Sequence, residues 1–203
     1  MLPAYGDGAR LVWLQSDLLK LTASTYNEIS IASPWDEKSK TRKAWELVAQ
    51  GSSENWSYSL GTTTGRNELG TQITFIDAWI SYAFSEQTTF WFNFDRQTQE
   101  PAAGKTGDAS SSIFQVQHKI DNHALALRYE SVDGADDPMI NIDGNYTGNV
   151  SVLSIADRVK LSENLSIALE VHHHMAQNKD YVDSSNKATK ELTFFTVGAL
   201  ATF

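Results

Sequence analysis

The stretch TTFWFNFDR, residues 88–96, decides the fold class of this chain. Successive side chains of a β-strand point to opposite faces, so the residues of this stretch separate into two groups. One face is wholly aromatic and the other is largely polar: Phe90, Phe92 and Phe94 against Trp91, Asn93 and Asp95. This alternation predicts a strand with one apolar face, and it does not fit the period of a helix.

The same alternation precedes this strand and recurs along the chain. Residues 76–84 place Ile76, Ile80 and Phe84 opposite Asp77, and the polar stretch 85–87 between the two strands predicts a tight hairpin turn. Comparable turns are predicted within residues 13–19, 51–55, 118–125 and 159–167. They recur at intervals of roughly 35 residues, which indicates one repeated hairpin architecture.

Long polar connections separate these hairpins, at residues 29–41, 98–109, 133–149 and 177–190. Short turns therefore alternate with long loops. This is typical of an outer-membrane barrel, in which tight turns lie on the periplasmic side and long loops lie outside the cell.

Strands are predicted at residues 9–23, 43–63, 71–97, 111–132, 149–176 and 191–203. Splitting all but the last at a tight turn gives roughly eleven strands. We therefore expect an all-β fold, an antiparallel up-and-down transmembrane β-barrel, with residues 1–203 in a single domain. Because bacterial single-chain barrels have an even strand number, we also expect upstream strands of a larger barrel, and a signal peptide, to precede Met1.

Composition excludes several other classes. The 25 acidic and 16 basic residues give a net charge of -9, which disfavours nucleic acid as a partner. Cysteine is absent, so disulfide scaffolds and thiolate metal sites are excluded. Mean hydropathy is -0.35 and no apolar run is long enough for a spanning helix, but a membrane-spanning strand needs only about 9–11 residues with alternate residues apolar. No cofactor motif is present.

The last predicted strand ends on an aromatic residue, with apolar residues at alternate positions before it: Phe195, Val197, Ala199, Ala201 and Phe203. This pattern resembles the terminal signal that the barrel-assembly machinery recognises in outer-membrane proteins. We expect that machinery to be a partner.

Two segments, residues 122–130 (NHALALRYE) and 161–170 (LSENLSIALE), each precede a polar loop. With the closing strand, they resemble the last hairpins of the OmpL-like family of β-barrel porins. The resemblance is clearest over the C-terminal half. It implies a channel for small solutes in the cell outer membrane, in contact with lipid and lipopolysaccharide, and it assigns no catalytic residues.

The expected function is passive diffusion of small hydrophilic solutes or ions, without enzymatic activity, and homo-oligomerisation is left open. Two alternatives remain: a structural or adhesive barrel without a conducting lumen, and a soluble β-sandwich or lipocalin-like binding protein.

Alternation also predicts which charged side chains line the pore. These are Lys20, Glu46, Asp77, Asp95, Lys119, Arg128, Glu130, Arg158, Lys160, Glu170, His172 and His174. Four of the cations, Lys119, Arg128, Arg158 and Lys160, come from consecutive strands near the periplasmic end. They favour anions unless Glu130 and Glu170 neutralise them, and the sequence slightly favours neutralisation.

Two features depart from a simple barrel pattern. The run His172–His174 suggests a metal site, but two histidines on one face without a third ligand are insufficient, so no metal is expected. Asp157 shares a face with Leu153, Ile155 and Val159, where a carboxylate facing lipid would be costly. A β-bulge that reverses the alternation, or burial against a neighbouring element, would resolve this conflict.

Overall fold

The computed structural model describes residues 8–27, 43–67, 70–101, 106–134, 149–177, 181–182 and 187–201. The secondary structure of these residues consists of strands and their connections. Within them, no helix is long and apolar enough to cross a membrane. The strands begin and end within about four residues of the positions that alternation predicts. The predicted connection 98–109 is shorter than expected, because one strand continues to Glu100 and the next begins at Gly107.

Within the described residues, eleven strands form the main sheet: β1 (Gly8–Ser16), β2 (Leu19–Asn27), β3 (Lys43–Ser52), β4 (Trp56–Arg66), β5 (Gln72–Ala83), β6 (Thr88–Glu100), β7 (Gly107–Ile120), β8 (His123–Asp133), β9 (Val150–Ser162), β10 (Leu165–Ala176) and β13 (Glu191–Ala201). A separate two-stranded sheet consists of β11 (Tyr181–Val182) and β12 (Ala188–Thr189).

The strands of the main sheet are hydrogen-bonded in chain order, from β1 to β10 and then to β13. Six strand pairs with an assigned register are antiparallel: β1–β2, β2–β3, β3–β4, β8–β9, β9–β10 and β10–β13. Sequential antiparallel pairing is the up-and-down arrangement expected from the sequence.

Local hydrogen bonds and backbone geometry explain the tight turns. In the turn between β5 and β6, Ser85 Oγ accepts hydrogen bonds from the backbone N–H groups of Gln87 and Thr88, at 3.2 and 3.0 Å. Between β7 and β8 only two residues intervene, and Asp121 has a φ of 52°. A positive φ at the first central residue is the geometry of a two-residue hairpin turn, which fixes the register of the strands it joins.

Contacts divide the chain into two compact units, one of residues 1–80 with 94–110 and one of residues 81–93 with 111–203. Within each unit, the most buried side chains are largely small or polar and many large apolar side chains are exposed. This is the reverse of a soluble core, in which large apolar residues are buried. It fits a sheet that turns its apolar face toward lipid.

One expectation about local structure is wrong, and one of two alternative explanations is excluded. Residues 177–190, predicted to be a loop, contain β11 and β12, which are too short to show alternation. The excluded explanation concerns Asp157, for which a bulge was one of the two alternatives. Its pairing with Leu125 on β8 and Leu169 on β10 lies in an unbroken register, and the register shift between β9 and β10 occurs at the turn, between Leu165 and Ser166. Asp157 therefore remains on the apolar face.

Candidate functional site

The sheet has two faces. We call the face that carries the side chains of Ser24, Asn93 and Ser154 the polar face, and the opposite one the apolar face. These three residues are 4%, 7% and 2% exposed, whereas Phe195 and Val197 on the apolar face are 77% and 73% exposed. On β8 exposure alternates with each residue from His123 to Glu130. On the polar face, neighbouring residues can therefore fix the positions of functional side chains.

In the unit that contains β1 to β4, a charged network crosses three strands of the polar face. Arg10 Nε donates to Ser24 Oγ at 3.2 Å, and Ser24 Oγ donates to Glu46 Oε2 at 2.9 Å. The Arg10 guanidinium lies 3.6 Å from the same carboxylate. The sequence does not predict Arg10 as a lining residue, because Val12 and Leu14 follow it on the same face and make that face of β1 look apolar.

In the other unit, His172 lies at the centre of a second network on the polar face. Its Nδ1 is 2.9 Å from Ser154 Oγ on β9, and its Nε2 is 3.0 Å from Thr196 Oγ1 on β13. Glu170 Oε2 lies 3.3 Å from the same Nε2. The strand pairings place these groups together, since His172 is opposite Ser154 on one side and Phe194 on the other.

Aromatic rings extend this network toward β11. The ring of Phe194 stacks on His172 with centroids 4.7 Å apart and lies 5.0 Å from the ring of His174. Tyr181, 6% exposed, places its hydroxyl 3.4 Å from His174 Nδ1. Sequence reasoning missed Phe194 and Tyr181, because the first seemed to belong to an apolar strand and the second to a loop.

These histidines have hydrogen-bond and ring partners. Among the described residues, no group of three or more His, Cys, Asp or Glu side chains is arranged to hold a metal ion. His172 and His174 share the polar face, and His173 lies on the apolar face with its Nδ1 2.9 Å from Thr193 Oγ1.

The cations of the polar face differ in their partners. Arg128 Nη2 lies 2.8 Å from Glu130 Oε1, so this pair is neutralised along its own strand. Arg158 and Lys160 are exposed, and so is Lys119 at the end of β7. Among the described residues, none of these three forms an ion pair with a carboxylate.

The predicted lining residues all have the parity of the polar face of their own strands. On β2, β3, β5, β6 and β7 these are Lys20, Glu46, Asp77, Asp95 and Lys119, and on β8, β9 and β10 they are Arg128, Glu130, Arg158, Lys160, Glu170, His172 and His174. The structure brings together Arg128 with Glu130, and Glu170 with His172 and His174.

The apolar face carries polar pairs at two levels of β8 and β9. His123 Nδ1 lies 2.8 Å from Asp157 Oδ2 close to the tight turn, and Tyr129 Oη donates to Ser151 Oγ at 3.2 Å further along. Leu127 lies between the two pairs. His123 is the partner of Asp157 Oδ2 at an otherwise apolar position, whereas Oδ1 is buried without a hydrogen-bond partner.

The alternate residues of β13 extend the apolar face. Phe195, Val197, Ala199 and Ala201 are opposite Val171, Leu169, Ile167 and Leu165 of β10. Phe203, the proposed end of the assembly signal, lies outside the described residues. The signal remains a prediction.

A sheet whose buried side chains are largely small or polar, whose large apolar side chains are exposed in large numbers and whose strands pair in chain order defines an outer-membrane β-barrel. A model of the family described as "Putative beta-barrel porin-2, OmpL-like" matches residues 1–203. The chain belongs to this family of outer-membrane proteins, which excludes the soluble β-sandwich and lipocalin-like alternatives.

Solved structures share the fold at low sequence identity. An anion-selective porin from Comamonas acidovorans is 11% identical with a TM-score of 0.71, over 96% of this chain and 58% of its own. OmpT, an outer-membrane protein of Vibrio cholerae, is also 11% identical, with a TM-score of 0.62 over 95% of this chain and 62% of its own. The porin NanC is 9% identical with a TM-score of 0.52, over 96% and 91%.

The chain thus spans about three fifths of the first two porins. No curated protein matches the sequence.

Proposed function

We propose that the protein is a passive outer-membrane channel for small hydrophilic solutes or ions, with the polar face lining a water-filled lumen. The observation that carries this proposal is the reversed distribution of side chains, with Ser24, Asn93 and Ser154 buried and the large apolar side chains exposed. A face that holds this many ionisable groups requires water beside it or pairing across strands. The proposed activity is diffusion and includes no chemical step.

The family and the porin structures support the same function. The Comamonas protein is an anion-selective porin, and NanC is also a porin. We further propose that residues 1–203 belong to one barrel domain and that its partners are lipopolysaccharide and the barrel-assembly machinery, with Phe195, Val197, Ala199, Ala201 and Phe203 as the assembly signal. Homo-oligomerisation in the membrane is compatible with this proposal.

In planar lipid bilayers, the full-length protein is expected to give stepwise increases in ion conductance, because polar side chains line the proposed lumen along nearly every strand. Conductance equal to that of lipid alone would favour the structural or adhesive alternative.

Single-cysteine variants can locate the lumen, since the 203-residue sequence contains no cysteine. Ala126 lies on the polar face of β8 and Leu127 lies on the apolar face. A charged, water-soluble methanethiosulfonate is expected to lower the conductance of Ala126→Cys and to leave Leu127→Cys unchanged, because lipid shields the second thiol. Equal modification of both variants would contradict the assignment of the faces.

A further inference from the structure

We propose that Lys119, Arg158 and Lys160 form an oxyanion-binding site at the tight-turn end of the polar face, so that the preferred solutes are small carboxylates or phosphates. This inference rests on the proposed channel function and names its solute class. It requires that the three cations lie close together, that no carboxylate among the described residues pairs with them, and that a ligand has room beside them.

The fold brings the three cations to one end of neighbouring strands. Lys160 N donates to Asn122 O at 2.8 Å, and Asn122 Nδ2 donates to Lys160 O at 3.2 Å, so Lys160 is fastened to the turn between β7 and β8. Lys119 lies two residues before Asp121, the first residue of that turn. Residues that flank a two-residue turn are opposite each other, which places Lys119 opposite Ala124.

Ala124 is in turn opposite Arg158 on β9. Lys119 and Arg158 are therefore two strands apart in one row, a separation of about 10 Å between backbones. Two long cationic side chains can reach a common ligand across that gap. Lys160, two residues beyond Arg158, has the same parity.

The carboxylates of the same strands have other partners, and the turn residues Asp121 and Glu163 form no ion pair with the three cations among the described residues. On the same face, Glu130 pairs with Arg128 at 2.8 Å and Glu170 lies 3.3 Å from His172. Asp157, beside Arg158 in sequence, lies on the apolar face and pairs with His123. Arg128 is therefore neutralised by a carboxylate, as the sequence favours for the four cations. Among the described residues, the other three cations have no carboxylate partner.

Small side chains leave space around Arg158. Its cross-strand neighbours are Ala124 and Ala168, and Ala168 is opposite Gly198 on β13. A Cβ atom added to Gly198 would meet no atom within 4 Å. Arg158 is therefore flanked by small residues on both neighbouring strands, which leaves room for an anion beside its side chain.

The chemistry of the three groups selects an oxyanion. A guanidinium presents parallel N–H donors that match a carboxylate or phosphate, and two ammonium groups add positive charge. The net charge of the sequence is -9, so an anion needs a local positive region to enter. Because charges are screened over about 8–10 Å at moderate salt, this local cluster outweighs distant carboxylates.

The test measures the reversal potential of the full-length protein in bilayers under a potassium chloride gradient, with about 0.1 M salt on the dilute side so that distant charges stay screened. Wild type is expected to prefer chloride, and Arg158→Gln and Lys160→Gln are each expected to lower the chloride-to-potassium permeability ratio by about threefold. Arg96→Gln is the matched control: it removes the same charge, but Arg96 lies on the apolar face and pairs with Asp108. The control is expected to keep the wild-type ratio.

Succinate and inorganic phosphate then test binding. Each is expected to reduce chloride conductance in wild type and to lose this effect in the Arg158→Gln/Lys160→Gln variant. Arg158→Lys is expected to keep the permeability ratio but to weaken the block, because it retains the charge and loses the planar donors. A double variant with wild-type selectivity and wild-type block would overturn the proposal.

The channel and the site can fail separately. If wild type does not conduct, the channel proposal fails. Titration calorimetry of succinate and phosphate into the detergent-solubilised protein then tests whether the site binds these anions. Binding heat in wild type that is absent from the double variant supports the site, and equal heats, or none in either protein, refute it.

Discussion

Replacing Leu127 with arginine is expected to destabilise the folded protein by about 2–4 kcal/mol, the cost of a charge at the lipid-facing midplane of a barrel. Leu127 is 44% exposed on the apolar face, opposite Ile155. It lies near the middle of β8, between the polar pair His123–Asp157 and the pair Tyr129–Ser151. Arginine at this depth would lose its hydration without gaining a partner.

The adjacent residue provides the matched control. Ala126 lies on the polar face opposite Ala156, where a long side chain has room to reach water. Ala126→Arg is expected to cost less than about 1 kcal/mol, a typical result for a surface substitution with some like-charge repulsion from Arg128. Reversible unfolding from lipid vesicles, followed by tryptophan fluorescence, measures both free energies. Equal costs, or a larger cost at residue 126, would show that the two faces are exchanged.

Phe92 and Asn93 form a similar pair of adjacent residues, but they are less suitable for this comparison. From alternation alone, an arginine at residue 92 would face lipid and an arginine at residue 93 would face water. In the structure Phe92 is 41% exposed and Asn93 is 7% exposed. An arginine at residue 93 would have to displace packed neighbours, so its cost would mix steric and electrostatic effects.

Much of the fold follows from local sequence. Alternation across Ile76–Phe84 and Phe90–Phe94 predicts the two faces, and polar turns such as Ser85–Gln87 predict the hairpins. Both signals depend only on the two-residue period of a strand and on turn chemistry, and neither requires knowledge of distant residues.

The partners within the site depend on register and side-chain conformation, which alternation does not determine. Glu170 could have paired with Arg158, its diagonal neighbour, yet in the structure it contacts His172. The Asp157 carboxylate is paired with a histidine from the preceding hairpin, 34 positions earlier. Tyr181, which contacts His174, lies in the two-residue strand β11, and a strand of this length is too short to show alternation.

Close backbone approach is another feature that alternation does not show, and Gly51 near the end of β3 is the clearest example. There the turn between β1 and β2 lies directly against β3: Ser52 N donates to Asp17 O at 3.0 Å, and Tyr58 Oη donates to Leu18 O at 2.6 Å. A Cβ atom on Gly51 would overlap the carbonyl of Leu18. Only glycine allows this approach without displacement of the turn.

Gly51→Ala is therefore expected to lower the free energy of unfolding by about 1–3 kcal/mol, the usual cost of inserting atoms into a packed site. Moving the turn would also lengthen the two hydrogen bonds to Asp17 and Leu18, each of which contributes about 0.5–1.5 kcal/mol. Gly198→Ala is the matched control, because a Cβ atom there meets nothing within 4 Å. Its effect is expected to stay within about 0.5 kcal/mol of wild type. The same vesicle unfolding assay compares both variants, and an alanine at residue 51 that is tolerated as well as one at residue 198 would contradict the close packing of the β1–β2 turn on β3.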